Sequence, residues 1–173
     1  MIISVLAVVI LTLSFFGGLK EGAVKNFFGL VGLLIAVPLT GLYYGLVAGY
    51  LTFLPSENWE NFIGFYLVLT ILCIILHLIF IIPRRLIQKI WGKGIFYRLI
   101  GGVLGVLYAS TGMVVFTLVV FAYPVFDWLA RWLGGSNFLA WLVDNLGFVQ
   151  AMLPDVFEKA ASSFTVALRF ILG

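Results

Sequence analysis

Four long apolar runs, separated by short polar segments, make up the first 125 residues. The runs cover about residues 2–18, 27–54, 62–82 and 99–123. About 20 apolar residues in an α-helix cross the hydrocarbon core of a bilayer. The pattern therefore predicts an all-α membrane protein, with a domain of four transmembrane helices over residues 1–125.

Proline and glycine residues set the expected limits of these helices. Pro38 lies inside the second run, and Pro83 follows the third. Because proline lacks a backbone N–H and clashes with the preceding turn, it kinks or ends a helix. We expect the second helix to be tilted, kinked or locally broken and the third to stop at Pro83. A polar turn over residues 17–26 should join the first two helices.

The segment after Pro83 and the C-terminal region differ from the four runs. Residues 84–98 carry five basic and no acidic residues, and their apolar residues recur at helical spacing. This pattern predicts a basic amphipathic helix on the membrane surface. Residues 126–173 predict a tail of two or three short amphipathic helices, on the membrane or packed against the bundle. A fifth span at about residues 160–172 would be too short to cross alone.

The overall composition supports a membrane protein and argues against two other classes. Hydrophobic residues make up 64% of the chain and charged residues 10%, whereas a soluble domain carries about 25% charged residues. The net charge is only +3, with no basic stripe, so we predict no nucleic-acid partner. A single cysteine, Cys73, excludes a disulfide within the chain.

Ahead of the tail, which adds three basic residues spread over a long segment, the basic residues lie on one side of the predicted spans. They follow the first and third spans, whereas the loop after the second holds only Glu57 and Glu60. The positive-inside rule then places both basic segments in the cytoplasm and both termini outside. These residues either contact lipid headgroups or a partner, or only set the topology. The candidates are Lys20, Lys25, Arg84, Arg85 and Arg98.

Small residues four positions apart form two rows that predict close helix packing. The second-span row is Gly41, Gly45 and Gly49. The fourth-span row is Gly101, Gly105 and Ala109. Each row could pack against another span of the same chain, or form a seam between subunits or the lining of a pore.

His77 is the one ionisable side chain well inside a predicted span. Such residues are costly in lipid and usually face protein or water. An interhelical hydrogen bond or a position near the headgroups would satisfy it; a proton relay is an alternative. Cys73, four residues earlier, could supply half of a metal site, but the chain has no further His or Cys to complete one. We therefore predict no metal site.

The acidic residues all lie outside the predicted spans, and no pair is placed for acid–base chemistry on a buried substrate. No phosphate-cradling loop of the P-loop type is present. The sequence therefore predicts no catalytic residue, no cofactor and no enzyme activity.

Two short stretches resemble the CvpA (colicin V production) family of bacterial inner-membrane proteins. Residues 18–26 match the family's alternation of glycine and basic residues, and residues 98–105 match its Arg-x-x-Gly-x-x-x-Gly pattern. The chain departs from the family at Ser4 and Asn26, where many members carry an acidic residue.

The resemblance implies a non-enzymatic, multi-pass protein of the bacterial inner membrane that assists toxin or peptide export or envelope homeostasis. It implies no cofactor, and the expected partners are the lipid bilayer and a second copy or another membrane protein. Two alternatives stay open. One is a small oligomeric channel or transporter that uses the second span and the glycine rows. The other is a membrane anchor or scaffold whose tail binds a partner protein.

Overall fold

A computed structural model describes residues 2–90 and 94–152, and every regular element within them is an α-helix. The four long helices are α1 (Ile2–Glu21), α2 (Ala23–Ala48), α3 (Glu57–Ile90) and α4 (Ile95–Ala122). Three short helices follow, α5 (Asp127–Gly134), α6 (Asn137–Asn145) and α7 (Gly147–Ala151). All four long helices are long and apolar enough to cross a membrane. The predicted fold class is confirmed.

The connection between α1 and α2 is a single residue, so the predicted polar turn over residues 17–26 is wrong. Gly22 has φ +82°, a conformation that side chains with a Cβ rarely adopt. A Cβ at Gly22 would also collide with the ring of Tyr97. One glycine with this backbone conformation reverses the chain, which lets both helices run to the corner.

Helix α3 continues through Pro83 to Ile90, so the predicted stop at Pro83 is wrong. Proline removes only one backbone hydrogen bond, and helices at membrane depth tolerate that loss where neighbouring groups compensate. The separate amphipathic helix over residues 84–98 is also wrong within the described residues. Residues 84–90 belong to α3 and residues 95–98 open α4; residues 91–93 lie outside the described part.

Helix α2 is continuous through Pro38, which rules out a local break there. It ends at Ala48, six residues before the predicted end of the second span, and turns follow it. The hydroxyl of Thr40, two residues after the proline, donates to the carbonyl oxygen of Ala36 at 2.7 Å.

Helices α2 and α4 form the centre of the bundle. Helix α4 packs against both α1 and α2, and α2 also packs against α3. In an apolar 18-residue stretch of α4, 50% of the residues are buried inside the protein. The corresponding fraction is 11% in α1 and in α3. The outer helices α1 and α3 therefore present most of their apolar surface to the bilayer or to another protein.

The short helices pack against the end of the bundle where α2 and α4 finish. Helix α6 contacts both α1 and α4, and Val143 is fully buried. The Ser136 and Ser4 hydroxyls are 3.0 Å apart and hydrogen-bonded. Of the two predicted placements, the described part of the tail adopts packing on the bundle. The boundary at residue 125 stays a prediction, and residues 153–173, including the candidate fifth span, lie outside the described residues.

Candidate functional site: a polar pocket at the basic end of the bundle

The basic residues predicted as cytoplasmic contacts all lie at one end of the bundle. Helices α1 and α3 end there, and α2 and α4 begin there, because successive long helices run in opposite directions. Lys20, Lys25, Arg84, Arg85 and Arg98 belong to the terminal turns at this end or lie close to them. Glu57 and Glu60 open α3 at the opposite end.

A pocket of about 200 Å³ opens at this end between α2, α3 and α4. We call it the basic-end pocket. It is lined by Glu21, Lys25, Asn26, Phe28, Gly29, Gly32, Leu33, Cys73, His77, Phe80, Arg84 and Tyr108. Lys25, His77 and Arg84, which the sequence singled out separately, therefore line one cavity.

The wall contributed by α2 is a stripe of residues at helical spacing. Lys25, Gly29 and Gly32 follow one another at intervals of four and three, which places them on one face. A Cβ at Gly29 would lie 3.8 Å from the Tyr108 ring, and one at Gly32 would lie 3.6 Å from the Phe80 ring. The two glycines leave the space that larger side chains would fill.

The wall contributed by α3 is a second stripe, at intervals of four, three and four. It consists of Cys73, His77, Phe80 and Arg84, which span about 16 Å along the helix axis. Phe80 joins this wall to α2, because its ring centroid lies 5.2 Å from that of Phe28. From the mouth of the pocket inward, the stripe therefore presents a guanidinium, an aromatic ring, an imidazole and a thiol.

The charges at the mouth are only partly paired. Lys25 forms an ion pair with Glu21, four residues earlier. Both side chains are more than a third exposed, and ion pairs of this kind contribute about 0–1 kcal/mol. Within the described residues Arg84 has no ion-pair partner. Among the described residues, no carboxylate therefore neutralises the Arg84 guanidinium at the mouth.

Asn26 holds the corner between α1 and α2. Its side chain is buried and donates to the carbonyl oxygens of Gly22, at 3.0 Å, and Gly18, at 3.4 Å. These carbonyls belong to the last turn of α1 and the corner. Each also accepts a backbone N–H, Gly18 from Gly22 at 2.9 Å and Gly22 from Asn26 at 3.4 Å, so the buried amide adds a second donor to both. The sequence marked Asn26 only as a departure from a family pattern and gave no sign of this role.

The two glycine rows have different surroundings. In the fourth-span row, a Cβ at Gly105 would lie 2.6 Å from the Ser14 carbonyl oxygen, and one at Gly101 would lie 2.5 Å from that of Gly18. In the second-span row, Gly41 is buried, but Gly45 has open space where a Cβ would be.

The remaining members of the rows add little to this contrast. Ala109 is partly buried, and a Cβ at Gly49 would meet only carbonyl oxygens of its own helix. The small residues Ser14 and Gly18 of α1, and Gly22 at the corner that follows it, also recur every four positions. That third row was the sequence signal that could have identified the partner of the fourth-span row.

The other basic residues do not line the pocket. Lys20, Arg85 and Arg98 are exposed at the same end of the bundle. Arg84 and Arg85 are neighbours in sequence but face different surroundings, because successive residues of a helix point about 100° apart. In the described part of the chain, no three His, Cys, Asp or Glu side chains are placed to hold a metal ion.

Comparison with known proteins identifies one family. The family model described as colicin V production protein matches residues 3–147. The match takes in nearly all of the four long helices and extends through α5 and α6, so it includes every residue that lines the basic-end pocket. No curated protein matches the chain. No solved structure matches it either.

Proposed function

Because the chain belongs to the colicin V production protein family, we propose that it assists the export of a peptide toxin or the maintenance of the envelope from the bacterial inner membrane. The match over residues 3–147 carries this proposal. We propose further that the protein catalyses no reaction. In support, Glu21, the one carboxylate among the pocket-lining residues, is held in an ion pair with Lys25.

The proposed topology has four crossings, with the basic end in the cytoplasm and the N-terminus and tail outside. Its support is the separation of charge between the two ends of the bundle. The basic end carries Lys20, Lys25 and Arg84, whereas α3 begins at the other end with Glu57 and Glu60. Lys and Arg next to short cytoplasmic loops set the orientation of most multi-pass proteins.

The export role is tested in a producing strain that lacks this protein. We expect the fraction of colicin V-type toxin in the medium to fall while total toxin synthesis stays constant, and the full chain to restore it. Leakage of a periplasmic reporter protein measures the envelope role in the same cells. If deletion changes neither secretion nor leakage, the proposal is wrong.

A small channel or transporter is the second candidate, and the basic-end pocket favours it because polar groups reach into the bundle beside His77. Purified protein in liposomes distinguishes the two. An assisting protein gives no proton or potassium flux above that of empty vesicles. A channel or transporter gives a flux that His77→Ala reduces.

A scaffold role for the tail is the third candidate, favoured by the exposed indole rings of Trp128, Trp132 and Trp141 on the short helices. Aromatic residues are enriched where proteins bind partners and also at membrane interfaces. Replacing Trp132 and Trp141 with Ser should abolish capture of a partner without changing the oligomeric state. If a co-purifying partner is retained, the tail is not the docking site.

A further inference from the structure

The basic-end pocket has the charge and the donors of an anion site. Two cations, Lys25 and Arg84, line it together with a single carboxylate, Glu21. The hydroxyl of Tyr108 and the imidazole of His77 add further hydrogen-bonding groups to the lining. Since Glu21 is engaged with Lys25 and Arg84 has no ion-pair partner among the described residues, the lining carries an excess of positive charge.

The position of the pocket indicates which anion is available to it. Arg84 lies in the last turns of α3, where a membrane-crossing helix reaches the headgroups of the leaflet. Phosphate is the anionic group common to phospholipid headgroups, and cytoplasmic leaflets are rich in anionic lipids. Arginine binds phosphate through paired N–H donors, and lysine binds it as a point charge.

The size and walls of the pocket fit a headgroup. A volume of about 200 Å³ lies below the 300–1,000 Å³ of typical sites for drug-sized ligands and holds several water-sized groups of about 30 Å³ each. The adjoining stripe of α3 carries Ile74 and Leu78, which are 55% and 59% exposed. Acyl chains of a bound lipid can lie along this apolar surface.

We propose that the basic-end pocket binds a phosphate group, presented by the headgroup of an anionic phospholipid, with Arg84 and Lys25 as the principal contacts. Gly29 and Gly32 keep the cavity open. This inference rests on the proposed cytoplasmic orientation of the basic end. It concerns ligand binding by the purified protein and does not rest on the export role, so either can fail without the other.

The test compares two neighbouring arginines in the full chain. Native mass spectrometry of the detergent-solubilised protein measures the binding of phosphatidylglycerol, with phosphatidylcholine as the zwitterionic reference. General surface attraction is worth about 1 kcal/mol per basic residue, or roughly fivefold in affinity, and acts equally on both sites. We expect Arg84→Gln to weaken phosphatidylglycerol binding at least tenfold more than Arg85→Gln does. Equal effects of the two substitutions overturn the proposal.

A second pair of variants changes the shape of the pocket without changing its charge. Gly29→Leu should fill the cavity, because its Cβ would only touch the Tyr108 ring at 3.8 Å and the rest of the side chain extends into the space. Gly45→Leu lies on the same helix in open space and is the control. Tight phosphatidylglycerol binding should be lost in the first and kept in the second. Unchanged binding in a folded Gly29→Leu protein also overturns the proposal.

Inorganic phosphate distinguishes the two sources of the same chemistry. If the ligand is a lipid headgroup, millimolar phosphate does not displace phosphatidylglycerol. If phosphate displaces phosphatidylglycerol and also binds alone in a way that depends on Arg84, the pocket is a phosphate site. Its ligand is then a free anion and not a lipid headgroup. If neither phosphatidylglycerol nor phosphate shows binding that depends on Arg84, the pocket is not a phosphate site.

Discussion

The fourth-span row and the second-span row share one spacing but have different surroundings in the structure. Gly101 and Gly105 lie directly against the backbone of α1, whereas Gly45 faces open space. The two rows differ in the partner that they meet. Helix α1 supplies Ser14 and Gly18 opposite α4, whereas no other element of the described chain lies within 4 Å of the Cβ position at Gly45. Small residues at intervals of four permit close approach, but only a second helix with equally small residues makes use of it.

The contrast between the rows predicts the largest difference in stability. Gly105→Leu places side-chain atoms where the Ser14 carbonyl lies, since even a Cβ would be 2.6 Å from that oxygen. Overpacking against backbone should lower the free energy of unfolding by about 3 kcal/mol or more. Gly45→Leu should leave it unchanged or raise it by up to about 1 kcal/mol, because leucine favours a helix over glycine. Unfolding of both variants in detergent–denaturant mixtures measures the two free energies. Equal losses of unfolding free energy would contradict the close packing of α1 against α4.

The corner between α1 and α2 predicts the next largest effect. Gly22→Ala introduces a Cβ at φ +82° and against the Tyr97 ring, which should cost about 1–3 kcal/mol. Gly17→Ala is the matched control, because no atom beyond its chain neighbours and its own helix backbone lies within 4 Å of its Cβ position. Alanine favours a helix over glycine by about 0.5–1 kcal/mol, so the control should be neutral or slightly stabilising. Thermal unfolding of the two variants should therefore shift in opposite directions or differ clearly in size.

Replacing Asn26 should lower the free energy of unfolding by a similar or smaller amount. The loss here comes from missing hydrogen-bond donors and not from a steric clash. Asn26→Asp replaces an amide that donates to two carbonyl oxygens with a carboxylate that cannot donate when ionised. We expect a loss of about 1–3 kcal/mol. Asn145→Asp changes an amide that donates to the Trp141 carbonyl at an exposed site and should cost less than about 1 kcal/mol. Equal unfolding midpoints for the two variants would mean that Asn26 does not hold the corner.

The exposed ion pair between Glu21 and Lys25, beside the α1–α2 corner, predicts the smallest effect. Glu21→Gln removes the pairing with Lys25, and solvent already screens both side chains. The free energy of unfolding should change by less than about 1 kcal/mol, with little dependence on salt concentration. A loss larger than that from Asn26→Asp would show that the corner depends on charge rather than on the buried amide.

The number of helices long and apolar enough to cross a membrane, four in the described part of the chain, could be predicted from the sequence, because the bilayer fixes the length of an apolar run. The ends of the helices could not. Pro83 stops a helix only where the lost hydrogen bond is not tolerated, and α3 continues to Ile90. Likewise, one glycine at positive φ was enough to replace the ten-residue turn expected around Gly22.

The candidate site could be predicted only in pieces. His77, Lys25 and Arg84 each stand out by residue type and position, and the stripe from Cys73 to Arg84 follows helical spacing. Their convergence depends on how α3 lies against α2, where Phe80 meets Phe28 and Gly32. That pairing involves apolar residues that look alike along every span, so the pattern of one helix does not identify its neighbour.

The central claim is that the end of the bundle carrying the pocket faces the cytoplasm while the end bearing the short helices faces outside. Cysteine accessibility in intact cells tests it, with Cys73→Ser as the background and single Ser56→Cys and Arg85→Cys variants at two exposed positions. An impermeant thiol reagent should label position 56 in intact cells and position 85 only after the inner membrane is opened. Labelling of position 85, and not of position 56, in intact cells would contradict the account.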